Sequence, residues 1–216
     1  DAGTAASTAG SSAPILPPAP GDDVLAYVID WSHFNAPRAV NRILRHELRA
    51  KVIPDPVRLE TPNGFVDVPR GAVLVPTRRQ DMSADDIYAL IVRAVEEDGV
   101  TVHASLTSRT PSGSDLGGFS VDALEAPKVL LLTGRAGASG VSDNDAGEVW
   151  HYLDQMLHIP VTMIDVTNVN SRHLSDHTHI IAVGGAYGAL SDGFVDTLKS
   201  WIRDGGVFIG TQSGAE

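Results

Sequence analysis

Apolar residues recur along this chain in two periods, and the switches between them divide it into elements. Residues 24–30, VLAYVID, form a β-rich apolar run long enough for a buried strand. After it Val40, Ile43, Leu44 and Leu48 repeat at helical spacing, with Asn35 placed to cap the helix and Pro37 in its first turn. Residues 51–53 predict a short strand. RLET and FVDVP then flank Asn63-Gly64, a pair that tolerates positive φ and marks a hairpin turn. AVLVPT, residues 72–77, predicts another strand. Ser83 and Asp86 resemble a capping box, and Ile87, Leu90, Ile91, Ala94 and Val95 line one face of the helix that follows. VTVHASL closes the block as a strand. The order β-α-β-β-β-α-β makes residues 23–108 a mixed α/β layer.

Residues 109–126, rich in Gly and Ser, read as a connecting loop, and residues 127–216 alternate strand with helix. KVLLLTG is a strand. Ser142 caps a helix with Ala146, Val149, Trp150, Leu153, Met156 and Leu157 inward. PVTMIDV and HIIAVGG are the next strands. Ser191 caps a second helix with Phe194, Val195, Leu198, Trp201 and Ile202 inward, and Gly205-Gly206 ends it. VFIGTQ is the fourth strand. Near-continuous apolar strands between amphipathic helices predict a parallel sheet with helices on both faces. The fold class is therefore α/β in two blocks, the second an incomplete parallel sheet. Only four residues follow Gln212, so the helix expected after the fourth strand is missing and the chain reads as cut at both ends.

Residues 1–22 are Ala, Ser, Gly and Pro with almost no large apolar side chains, the composition of a flexible linker that follows something else. The formal charge is -11, with 16 Lys and Arg against 27 acids, which disfavours nucleic acid and anionic membrane as partners. No apolar run approaches a membrane span, and no signal peptide is visible. The absence of cysteine removes disulfides, thiolate catalysis and cysteine-bound zinc.

In open parallel sheets ligands bind outside the carboxyl ends of the strands. Three glycine-rich loops leave those ends: one from Gly134 through Ser139 to Ser142, one containing Gly185 and Tyr187, and one containing Gln212 and Ser213. These residues are the candidate ligand-binding set. The loops match neither the dinucleotide fingerprint nor the phosphate loop, and glycines serving tight strand-to-helix turns are the favoured account of them. The last loop has the form of a nucleophile elbow, but its apex is Gln212, which is no nucleophile. Ser213 lacks the flanking glycines of G-x-S-x-G, since Thr211 and Ala215 stand there. No catalytic residue is assigned.

Among the eight histidines, His173, His177 and His179 cluster with Asp176, and on a strand His177 and His179 would share a face. They fall at the amino edge of the third strand, in what reads as a solvated loop. No residue is assigned to a metal, and no cofactor is expected in this chain. Trp150 and Trp201 read as core. Trp31, with His33 and Asn35, either lines a groove or packs over the start of the first helix.

Several phrases together resemble a known family. AYVIDWSHFNAPRAVNRIL, FVDVPRGAVLVPT with EEDGVTVHA, and SDNDAGEVWHYLDQMLHIPVTMID followed by VGGAYGALSD and LKSWIRDGGVFI resemble the region downstream of the catalytic domain in bacterial zinc carboxypeptidases of the carboxypeptidase A type. The second block is similar to a class I glutamine amidotransferase-like domain, which is flavodoxin-like. In active domains of that type a Cys occupies the elbow, where this chain has Gln212. The resemblance implies a secreted or periplasmic metallocarboxypeptidase, with zinc held by a preceding N-terminal catalytic domain and this chain as its accessory part. Two other readings stand beside it: a ligand- or glycan-binding module using the crevice at Gly134, Tyr187 and Gln212, and a hydrolase using Ser213.

Overall fold

The computed structural model describes residues 14–21, 23–118, 121–134 and 140–215. The chain is α/β and falls into two units. One comprises the residues up to Ala39 with Leu48–Ala123, and the other Val40–Glu47 with Leu124–Glu216.

The first unit is built on an antiparallel sheet. Its strands are β1 (Ala26–Ile29), β2 (Ala50–Val52), β5 (Val73–Pro76), β6 (Val102–Ser105) and β7 (Asp122–Leu124), in the order β6-β1-β5-β2-β7. β3 (Val57–Thr61) and β4 (Gly64–Val68) form a separate hairpin. β1 lies between β5 and β6, and all four of its side chains are buried. Alternation along the strand sends Ala26 and Val28 into a core shared with Val57, Leu59 and Val68 of the hairpin. Tyr27 points the other way and stacks at 5.9 Å on Tyr88 of α2 (Ala84–Asp98). Ser83 caps α2 as expected, accepting from the Asp86 amide, and Gly99 ends it at φ +67.

Helix α1 (Ala36–Arg45) starts as predicted but stops before Leu48. Asn35 at its start donates its side-chain amide to the Asp98 carbonyl at 3.0 Å. The last residue of α2 supplies a buried charge: the Asp98 carboxylate, fully buried, meets Arg38 Nε at 2.8 Å. Trp31 remains exposed, with its ring over Gly71.

Three features of this unit depart from the sequence reading. The hairpin pairs Thr61 with Gly64, so its loop is Pro62-Asn63. Proline locks φ negative and excludes the expected turn with positive φ at both centres, and the positive φ falls instead on Gly64, at +103. The segment read as a connecting loop contains β7, whose three residues carry too short a pattern to show. Within the stretch read as linker, Pro17 is buried, and the carbonyls of Pro17 and Pro18 accept from the hydroxyls of Tyr88 and Tyr27.

The second unit holds a wholly parallel sheet of β8 (Val129–Thr133), β9 (Val161–Asp165), β10 (His179–Ala182) and β11 (Val207–Gly210). The order is β11-β10-β8-β9. Numbered within the unit this is 2-1-3-4, the flavodoxin-like sequence of strands, whose direction of growth reverses between β8 and β10. Leu130, Leu131 and Leu132 of β8 and Ile180, Ile181 and Ala182 of β10 form the core with Ala146, Leu174 and Phe194. These last three come from α3 (Asp143–Trp150), α4 (Ser171–Asp176) and α5 (Asp192–Arg203). α5 ends at Gly205-Gly206 as predicted. A Cβ on Gly206 would sit 2.2 Å from the Trp201 ring, so only glycine lets the chain turn under that side chain.

Coverage on both faces holds for the central strands and fails at the edges. Met163 of β9 and Val207 and Ile209 of β11 are each more than 40% exposed. The helix after Ser142 is α only to Trp150 and continues as one π-type stretch, His151–Met156, where Leu157 donates to Tyr152 five residues back. The wider turn breaks the 3.6-residue period. Leu157 stays buried, but Trp150 and Met156, both expected inside, are exposed. The stretch around His173, read as a solvated loop, is the short helix α4. Among the described residues no helix is long and apolar enough to cross a membrane.

Removing the buried carboxylate in Asp98→Ala strands the partly exposed Arg38 guanidinium, and is expected to lower stability by about 2–3 kcal/mol in urea unfolding. A loss within error of zero would show that the pair does not hold α1 to α2. Burial holds His103 and His179 below their ordinary value of 6.5, at His103 against the opposing pull of the Asp30 carboxylate. The unfolded chain therefore binds these protons more readily, so both contribute stability at neutral pH that is lost as pH falls below about 6.5. A His103→Gln/His179→Gln variant should show a flatter urea midpoint between pH 7 and 5 than the parent chain.

Candidate functional site

The reversal between β8 and β10 falls where open sheets of this kind form their crevice, at the carboxyl ends of the strands, and the described parts of the predicted loops meet there. Gly134 directly follows β8 and is half-buried. Ser142 starts α3: its hydroxyl accepts from the Asp145 amide, and its own amide donates to the Gly184 carbonyl at 2.8 Å. Gly185 bridges to Val141. Tyr187 turns its hydroxyl inward onto the Val183 carbonyl at 2.7 Å. Gln212 and Ser213 follow β11 in a short 3₁₀ turn, Gln212–Ala215. Ser139 lies outside the described residues.

The last turn bears most directly on chemistry. Gln212 has φ +50, an unfavourable left-handed conformation for a residue with a side chain. A strand leading into one residue at positive φ and then a helical turn is the geometry that presents a side chain at an elbow. The side chain presented is an amide. Ser213 beside it is fully committed: its Oγ accepts from the Gly185 amide at 2.8 Å and donates to the Gly185 carbonyl at 3.1 Å. A hydroxyl tied to both backbone groups of one residue is a clamp between two loops, and an active nucleophile would need a base as its partner.

Asp145, which sequence reasoning passed over, and Gly184, which begins the second predicted loop, complete the crevice. The space a Cβ would take on buried Gly184 is approached by Gln212 Oε1 at 2.6 Å and by Asp145 Oδ2 at 2.7 Å, so these polar groups converge over bare backbone. Ser142 and Asp145 stand three apart, which reads as a capping pattern. The Ser142 hydroxyl does cap the Asp145 amide, while the Asp145 carboxylate turns into the crevice. Burial raises the Tyr187 phenol above its usual range, and the Asp145 carboxylate adds to the rise, so Tyr187 stays a neutral donor. The crevice thus offers a carboxylate, a carboxamide and a glycine backbone.

The histidines do not form a centre. His173 accepts from the Asn170 amide through Nδ1 in a capping box, His177 Nδ1 pairs with the His173 carbonyl, and His179 Nδ1 pairs with Thr178 Oγ1. Each ring is engaged locally, and among the described residues no group of three or more His, Asp or Glu is placed to hold a metal ion.

Comparison with protein-family models finds no match, and searches against curated proteins and solved structures likewise return none.

Gln212→Gly removes the cost of a side chain at positive φ and is expected to stabilise the second unit by about 1 kcal/mol. Ser213→Ala breaks both bonds to Gly185 and is expected to destabilise it by about 1–2 kcal/mol. Thermal melts of the two variants should therefore shift in opposite directions.

Proposed function

We propose that this chain is a non-catalytic accessory region of an exported bacterial zinc carboxypeptidase, acting beside a catalytic domain that belongs to the same polypeptide. The observation that carries the non-catalytic part is the elbow. Where an amidotransferase-like sheet would present its nucleophile, a strained backbone presents Gln212, and the adjacent Ser213 hydroxyl is bound to Gly185 on both sides. The carboxypeptidase context rests on the resemblance of residues 23–216, and zinc and proteolysis belong in this proposal to the catalytic domain alone.

A second reading is favoured by the convergence of Asp145, Gln212 and Gly184: a binding module in which the crevice takes a neutral, hydrogen-bonding ligand such as a sugar. The two readings are compatible, since an accessory region can select substrate.

The gene decides the first. An H-x-x-E motif with a distal His and Glu is expected upstream in the same reading frame, and its absence overturns the carboxypeptidase proposal. The purified chain, with zinc added, should release no C-terminal residue from blocked dipeptides. For the crevice, titration with short oligosaccharides should give saturable binding that Tyr187→Ala weakens about tenfold, and no saturable binding to any of them would overturn the second reading.

A further inference from the structure

The first unit contains a cleft of opposite character. Its volume is about 420 Å³, and its walls carry Arg49, Lys51, Arg78 and Arg79 with no acidic residue among them. In a chain of net charge -11, four of the 16 basic side chains thus gather at one opening. Like charges brought together repel, and a cleft lined by one sign focuses its potential on whatever enters.

The backbone beneath these cations is held by a single side chain. Gln80 donates through Nε2 to the carbonyls of Arg49 and Pro76, both at 2.9 Å, and its Oε1 accepts from the Arg49 amide at 2.8 Å. This clamp ties the turn after β5 to the start of β2, and between its anchor points Arg79 adopts φ +59. Lys51 pairs across the sheet with Leu74, and strand alternation puts Arg49 on the same face. Arg49, Lys51 and Arg79 form no ion pair with any described carboxylate. Between them the floor is apolar: Leu74 and Leu116 are buried and Leu25 half-buried.

We propose that this cleft binds an amphipathic organic anion, its phosphate or carboxylate head held by Arg49, Lys51 and Arg79 and its apolar body laid on the leucine floor. Arginine suits either head, because its planar fork matches both oxyanions. The floor distinguishes such a ligand from an inorganic ion, which gains nothing from leucine. The small volume of this half-open cleft matches one small molecule better than a polymer backbone tracking across a surface.

The test is calorimetric titration of the whole chain with phenyl phosphate, phenylacetate and inorganic phosphate at fixed ionic strength. At least one of the two organic anions should bind about tenfold more tightly than inorganic phosphate, through the area its ring buries. Arg49→Gln/Arg79→Gln should weaken that binding about tenfold or more, while Arg49→Lys retains most of it. Tyr187→Ala, in the other unit, should leave it unchanged. Far-UV circular dichroism and a melt establish that the double variant is folded. If it is not, adding 0.5 M salt to the parent chain in place of the substitutions should weaken binding about as much. Failure of both organic anions to bind, no preference over inorganic phosphate, or indifference to the charge substitutions or to salt would each overturn the proposal. A response to Tyr187→Ala would do so too, by placing the ligand in the other crevice.

Discussion

A strand buried on both faces has no water to satisfy its amides and carbonyls, so every one must find a neighbouring strand. β1, β5, β8 and β10 are in that position, with side chains buried to both sides along nearly their whole length. The two units meet the requirement differently. In the first, β1 and β5 pair antiparallel with each other and take β6 and β2 as outer partners. In the second, β8 and β10 pair parallel, so each connection must cross the sheet with a helix. Because β9 and β11 then add on opposite sides of the central pair, the switch in direction falls between β8 and β10, and the described residues that follow these two strands are bonded to each other there, Val141 to Gly185 and Ser142 to Gly184. The site is thus a by-product of satisfying the backbone of two strands.

The same constraint explains how much was legible from the residues. Strands buried on both faces write continuous apolar runs, and VLAYVID, AVLVPT, KVLLLTG and HIIAVGG all became the strands expected. Helices with one buried face write a 3.6 period, which located α1, α2, α3 and α5 together with the caps at Ser83, Ser142 and Ser191. Where neither condition holds the pattern is silent. β7 is three residues long with two exposed, and α4 buries a single side chain, Leu174. Met156 misled because hydrophobicity reports a tendency to bury and not the local winding. Once the helix widens at His151 the offsets from Ala146 no longer name a face. At the edge strands, Met163, Val207 and Ile209 keep the composition of core residues while standing exposed, so composition overstated the coverage of the sheet.

In the candidate site the loops were legible and their chemistry only partly. Glycine-rich stretches at strand ends pointed to the crevice, yet what fills it depends on directions that spacing does not carry. Asp145 reads as a helix-start acid and serves the crevice instead. Ser213 reads as a possible nucleophile and is bound to Gly185 through both its donor and its acceptor. Hydroxyls differ in reactivity by their partners, and partners separated by 28 positions are invisible to any local motif.

Gln212 carries this one step further. A side chain at positive φ is unfavourable by roughly 1 kcal/mol or more, and glycine in its place would remove the strain. The strain persists together with the other features that shape the elbow: the strand before it, the 3₁₀ turn after it, and the bare backbone of Gly184 that Gln212 Oε1 approaches. If the turn served only to end β11, nothing would require a side chain at that residue. A carboxamide held at a strained apex instead brings Gln212 Oε1 beside Asp145 Oδ2, two acceptors that converge on the bare backbone of Gly184. Two acceptors over bare backbone can orient a ligand that donates hydrogen bonds, which is the role proposed for this site.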